Sequence, residues 1–171
     1  MTKTKQSSVF ASQATKRFLD TFASVTLDGD ELRQEVESLH EGRTASKLDR
    51  PRKNKKIGPN TLRAAATREQ AVRSRIVGIQ MEINEVLGSV EPMRDATVAY
   101  MMAHYSNRIP IKGVTDQRTY LRSGLEARLP WFDALSKARE AAKYVIEDID
   151  KASWNLRLIA TTFELNTRPE M

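Results

Sequence analysis

The side chains of this 171-residue chain that could carry binding chemistry are of one kind, cations interleaved with aromatics. His104, Tyr105, Arg108, Lys112, Arg118, Tyr120 and Arg122 fall within nineteen residues. Guanidinium and ammonium groups suit phosphate, and Tyr faces can stack on unpaired bases. Anchoring of Tyr105 and Tyr120 into a core is the plainer alternative, and the two roles are compatible. A second basic group is denser. Arg43, Lys47, Arg50, Arg52, Lys53, Lys55 and Lys56 face a single carboxylate, Asp49. That excess of six equals the net charge of the whole chain, +6, so the rest sums to zero. A basic cluster set in a neutral protein points to a polyanion partner. The bland alternative is a solvated tether.

Covalent and metal chemistry find little support. Cysteine is absent, which removes disulfides, thiolate nucleophiles and thiolate metal sites and suits an intracellular home. The two histidines, His40 and His104, are far apart in sequence, with no His-x-x-x-His or Glu-x-x-His pair. The seven glycines are isolated and form no phosphate-cradling loop. Glu147, Asp148 and Asp150 are the one dense acidic cluster. On a helix they spread around the surface beside Lys143 and Lys151 and suit a solvated face better than a metal site. A serine nucleophile would need a histidine partner that nothing nearby supplies. The expectation is a non-enzymatic protein without cofactor or metal.

The elements that must position these groups are helical. Few Gly and Pro, much Ala, Leu, Arg and Glu, and no alternating strands give an all-α expectation. From Pro130 to Leu165, the residues Trp131, Leu135, Ala138, Ala142, Val145, Ile149, Ala152, Leu156, Ile159 and Phe163 step alternately by four and three. That seam repeats every ~3.5 residues and marks a helix laid along another helix. A second seam runs through Leu62, Ala65, Glu69, Val72, Ile76, Ile79, Ile83, Val86 and Val90, broken only by Glu69. Asn60 or Thr61 can cap that helix. Gly88-Ser89 predicts a break, with Ser89 capping a further helix that holds Pro92 in its first turn. Thr115 or Asp116 is the expected cap of the helix after the Ser106–Thr115 loop, and Pro130 is the expected kink.

Three segments follow. Residues 1–42 form an N-terminal tail with one or two short helices, over Ser12–Val25 and Glu31–His40, separated by Asp28-Gly-Asp. Residues 43–58 form a basic linker or arm. Residues 59–171 form a helical domain for oligomerisation and nucleic-acid binding. More apolar stripe is written into the long helices than one pairing needs. A second copy is therefore expected to cover Leu135, Val145, Ile149, Leu156, Ile159 and Phe163.

The layout from Ile57 to Arg108 resembles the UvsY family of phage recombination mediators. It has an entry Ile, Leu62 with an Ala-rich first turn, a long helix, a break, a second helix and an aromatic loop entry. Tyr105-Ser106-Asn107-Arg108 is similar to the family's Tyr-Ser-Gly-Arg/Lys step. Tyr120-Leu121 and the helix ending near Trp154 to Glu164 resemble its C-terminal part, so the likeness covers about residues 57–165. The family's Lys-x-Arg DNA contact falls on Ala99 and Met101 here and is not carried over. The first 56 residues have no counterpart in it. The resemblance implies a helical ring that binds single-stranded DNA and helps load a RecA-like recombinase onto strands coated by single-strand-binding protein.

Together these readings give an all-α, long-helix bundle with a kinked C-terminal helix used for oligomerisation. The expected function is that of a non-enzymatic, single-stranded-DNA-binding recombination mediator. Its expected nucleic-acid contacts are Arg50, Arg52, Lys53, Lys55, Lys56, Tyr105, Arg108, Lys112, Arg118 and Arg122. The expected partners are single-stranded nucleic acid (DNA favoured), other copies in a ring, a RecA-like recombinase and a single-strand-binding protein. No apolar run approaches membrane-spanning length, and no signal-peptide core opens the chain. The expected location is cytoplasmic, in a bacterial host if phage-encoded. The alternative function is a structural adaptor or small helical subunit of a viral or nucleoprotein assembly.

Overall fold

The structure, a computed structural model, describes residues 8–43 and 58–166. The protein is all-α, with no strand among the described residues. The α-helices of the described residues are α1 (Gln13–Thr21), α2 (Gly29–Glu41), α3 (Pro59–Tyr105), α4 (Val114–Glu126) and α5 (Phe132–Asn166). Short 3-10 turns cover Val9–Ala11 and Ser106–Arg108. The described residues fall into two compact units. The first lies within Met1–Gly29 and Ile83–Ser136, the second within Asp30–Glu82 and Lys137–Met171. The N-terminal helices expected as a tail are built into the cores of these units, and the expected basic arm lies outside the described residues except for its ends, Arg43 and Gly58. Phe18 of α1 is fully buried in the first unit, and Val36 of α2 in the second.

In the first unit, Ser12 caps α1 by accepting a hydrogen bond from the Thr15 amide at 3.3 Å. Phe18 then meets Val90, Val98 and Met101 of α3, together with Leu121, Leu125 and Leu129. Burying one such ring stabilises by about 2 kcal/mol. The Trp131 indole donates to the Phe22 carbonyl at 3.0 Å and ties the end of α1 to the start of α5. Gly29 sits so close to α5 that a Cβ there would collide with the backbone of Ala134 and Leu135. Glycine is needed here for close approach, since its φ is not positive.

Several helix boundaries differ from expectation; α3 already begins at Pro59, so Asn60 and Thr61 lie inside it and neither is its cap. No break occurs at Gly88-Ser89: α3 runs on through Pro92 to Tyr105, and Ser89 Oγ donates to the Val86 carbonyl at 2.7 Å instead of capping. Leu87, Val90, Val98 and Met101 are all buried at helical spacing on either side of Pro92, which is itself exposed. A continuous helix keeps those four on one face, and their burial offsets the roughly 3 kcal/mol an interior proline costs. Helix α4 begins at Val114, one residue before the expected cap, after Gly113 at φ +104°. The chain does restart after Pro130, as α5 from Phe132.

In the second unit, α3 and α5 run antiparallel. Leu62, Ala65 and Leu156 form one cluster with Ala66, Ala152 and Ala160, while farther along α3 Arg73 binds Asp150. Helix α2 is held by a two-pronged ion pair from Arg75 to Glu35, at 2.6 and 2.9 Å.

This packing changes the meaning of the C-terminal seam. Leu135 and Ile149 are fully buried, and Val145 and Leu156 are 3% and 6% exposed, within a single chain. The stripe expected to need a second copy is covered by the chain itself. A 3.5-residue repeat marks a buried face but does not name the helix that covers it. Ile159 differs, at 39% exposed, and Phe163 lies outside the residues whose side chains are described.

Candidate nucleic-acid interface

Helix α4 and the end of α3 position the sequence-predicted loop residues in the first unit. Buried Ile109 pins the loop to the core, and the Gln117 side chain donates to the Ile111 carbonyl at 2.8 Å. Tyr105 and Tyr120 are half-buried against the core, so their rings serve first as anchors. Tyr120 packs on Phe10 at 5.6 Å, and Phe10 carries the Arg128 guanidinium 4.0 Å above its ring. Arg108 lies 5.4 Å over the Tyr105 ring, within cation–π range. Arg122 is taken by Asp95 at 3.0 Å. Burial alone would raise the Asp95 carboxyl, but hydrogen bonds and charge from Arg94 and Arg122 hold it below its ordinary value. Lys112 and Arg118 are exposed, without a carboxylate partner among the described residues. An exposed aromatic pair joins His104 to a residue that the cation–aromatic group did not include, Tyr100, stacked on it at 4.1 Å. Their i, i+4 spacing was the available signal.

The second unit sorts its cations into two groups. One is internal. Arg43, at the exit of α2, is 2% exposed and binds Glu69 of α3 at 2.8 Å and Asp148 of α5. His40 approaches the same Asp148 oxygen at 3.3 Å. Burial alone would raise the Asp148 carboxyl, yet the hydrogen bonds and charge of Arg43 and His40 hold it low. Arg73 grips Asp150 with two hydrogen bonds, at 2.7 and 3.2 Å. Asp148 and Asp150 therefore face cations of other helices rather than Lys143 and Lys151, and they tie the bundle. Glu69, the polar interruption of its seam, is the partner that lets Arg43 be buried.

The other group is external. Arg63 and Arg68 of α3 and Lys151 and Arg157 of α5 are exposed at the end of this unit where Leu62, Ala65 and Leu156 meet. Neither 58–68 nor 151–162 contains a carboxylate. Trp154 stands between Lys151 and Arg157 along α5 at 69% exposed, with Leu158 one turn on at 58%. The sequence carried a signal for this surface, a Trp on the polar face of a seamed helix. Arg50, Arg52, Lys53, Lys55 and Lys56 lie outside the described residues. The described residues flanking that segment, Arg43 and Gly58, both belong to the second unit.

Among the described residues, no group of three or more His, Asp and Glu side chains could hold a metal ion. No helix among them is long and apolar enough to cross a membrane. No family model, curated protein or solved structure matches the chain.

Proposed function

We propose that this protein binds single-stranded nucleic acid without catalysing a reaction. The observation that carries this reading is the exposure of Arg68, Lys151 and Arg157 on the same unit as both flanks of the 44–57 segment. Exposed cations in local excess over carboxylates raise the potential and attract a polyanion. The strand is held by its phosphates, with the first unit's Arg108, Lys112 and Arg118 as a second contact surface. The finer role, a mediator that loads a RecA-like recombinase onto DNA, rests on the resemblance between residues 57–165 and the UvsY layout, less its mid-helix break, which the continuous α3 does not have. Leu135, Val145, Ile149 and Leu156 are buried within one chain, so binding is proposed for the single chain and needs no ring.

The test is oligonucleotide binding by fluorescence anisotropy across a salt series. Each phosphate neutralised contributes about 0.7 to the slope of log affinity against log salt for a single strand. A steep slope that falls when Arg68, Lys151 and Arg157 are replaced together by Ala supports the reading. Affinity that is absent, or flat between low and moderate salt, overturns it. The mediator role is tested by recombinase filament assembly on strands coated by single-strand-binding protein, which the protein should accelerate.

A further inference from the structure

Among the described residues Trp154 makes no hydrogen bond or ring contact and fills no core. About 100° per residue separates side chains around a helix, so Trp154 points roughly 160° away from Leu156, the nearest buried residue of the seam on α5. Indole is among the largest apolar side chains, and at 69% exposed most of its area is left in water. Lys151 and Arg157, each three residues away, flank it on the same outward side of α5, and both are exposed.

We propose that Trp154 is a stacking platform for an unpaired base of a single-stranded nucleic acid, with Lys151 and Arg157 taking the phosphates on either side. This rests on the binding reading above and adds to it a reason for single strands. A duplex hides its base faces, whereas an unpaired base offers its whole π-face to an indole. Charge decides against a second copy as the occupant. Two such faces packed about Trp154 would set Lys151 and Arg157 against their own counterparts, and Asp150, the carboxylate one turn before Trp154, is already held by Arg73. A polyanion with aromatic bases complements both features of the face. Leu158, also exposed, extends the apolar floor beside the indole.

The chain has two Trp residues, which makes the test direct. Full-length protein carrying Trp131→Phe retains Trp154 as its only indole and is titrated at low salt with a thymidine oligonucleotide. The wild-type chain and Trp154→Phe are titrated alongside, so the difference between them reports the same signal if Trp131→Phe folds poorly. The expected result is quenching of Trp154 emission by the single strand and none by a duplex of equal length. Trp154→Ala should weaken single-strand binding about tenfold, with Trp154→Phe in between and duplex binding unchanged. Circular dichroism should match wild type for both position-154 variants. Salt-sensitive binding with no quenching and equal affinity for Trp154→Ala overturns the platform and leaves the phosphate reading standing. Absence of any oligonucleotide binding overturns both. A concentration-dependent dimer that Trp154→Ala dissociates assigns the face to a second copy and also overturns the platform.

Discussion

Arg43 and Glu69 form an ion pair in which each side chain is 1% exposed, joining the end of α2 to the interior face of α3. Breaking one side of a buried pair costs more than replacing both, because the survivor keeps a charge without its partner. Glu69→Ala should therefore destabilise by about 3 kcal/mol, the low end of the usual range because Arg43 keeps Asp148. Arg43→Met combined with Glu69→Leu should recover most of that loss. Urea unfolding of the two variants checks it.

Acid should loosen the same junction. Asp148 is held below the ordinary carboxylate value, so the folded chain binds fewer protons there than the unfolded chain. Its contribution is present above the unfolded value and is lost as pH falls below about 4. Asp95, held low in the first unit, adds a loss of the same sign. Asp148→Asn should lower stability near neutrality and flatten the acid limb of the urea midpoint plotted between pH 3 and pH 7. An unchanged limb would show that the Arg43 contact contributes nothing in solution.

Two glycines should reject a methyl group for reasons of space. At Gly29 the obstacle is the backbone of Ala134 and Leu135, and at Gly124 it is the Phe10 ring. Backbone yields less readily than a ring. Gly29→Ala should cost about 2–3 kcal/mol and Gly124→Ala less, about 1–2 kcal/mol. Gly88→Ala meets open space and should stabilise α3 by up to about 1 kcal/mol. Thermal melts of the three variants give the order.

The two cationic surfaces should separate under mutation. Replacing Arg68, Lys151 and Arg157 by Ala removes exposed charges that form no ion pair among the described residues, so oligonucleotide affinity should drop by roughly 10-fold or more and the salt slope should decrease by up to about 2. Arg122→Ala should change affinity little, since Asp95 already holds that guanidinium. Equal losses from both would mean that exposure and pairing are poor guides to contact with a strand.

Much of the fold was legible in the sequence. The residues stepping by three and four along α3 and α5 are, with few exceptions, the buried ones, because helical period and burial are one physical fact. What the period could not say is which element covers a stripe. Leu135 to Leu156 therefore read as a face for another copy, although the chain buries it. The break expected at Gly88-Ser89 failed because local signals weigh about 1 kcal/mol each, less than the joint burial of Val90, Val98 and Met101. In the candidate sites, charge counting found the basic segment but could not separate Arg43, which is internal, from its neighbours. Tyr105 and Tyr120 were visible as aromatics beside cations, while Trp154 passed as one more residue of a helix end. Exposure is a three-dimensional property, and composition does not carry it.

The burial of Arg43 also bounds the ion release that the basic segment can generate. Of its seven cations, one is sequestered by Glu69 and Asp148, so at most six can displace counterions from a bound strand. The segment's share of the salt exponent for a single strand is then capped near 4 rather than near 5. Any steeper dependence has to be supplied by arginines and lysines outside that segment.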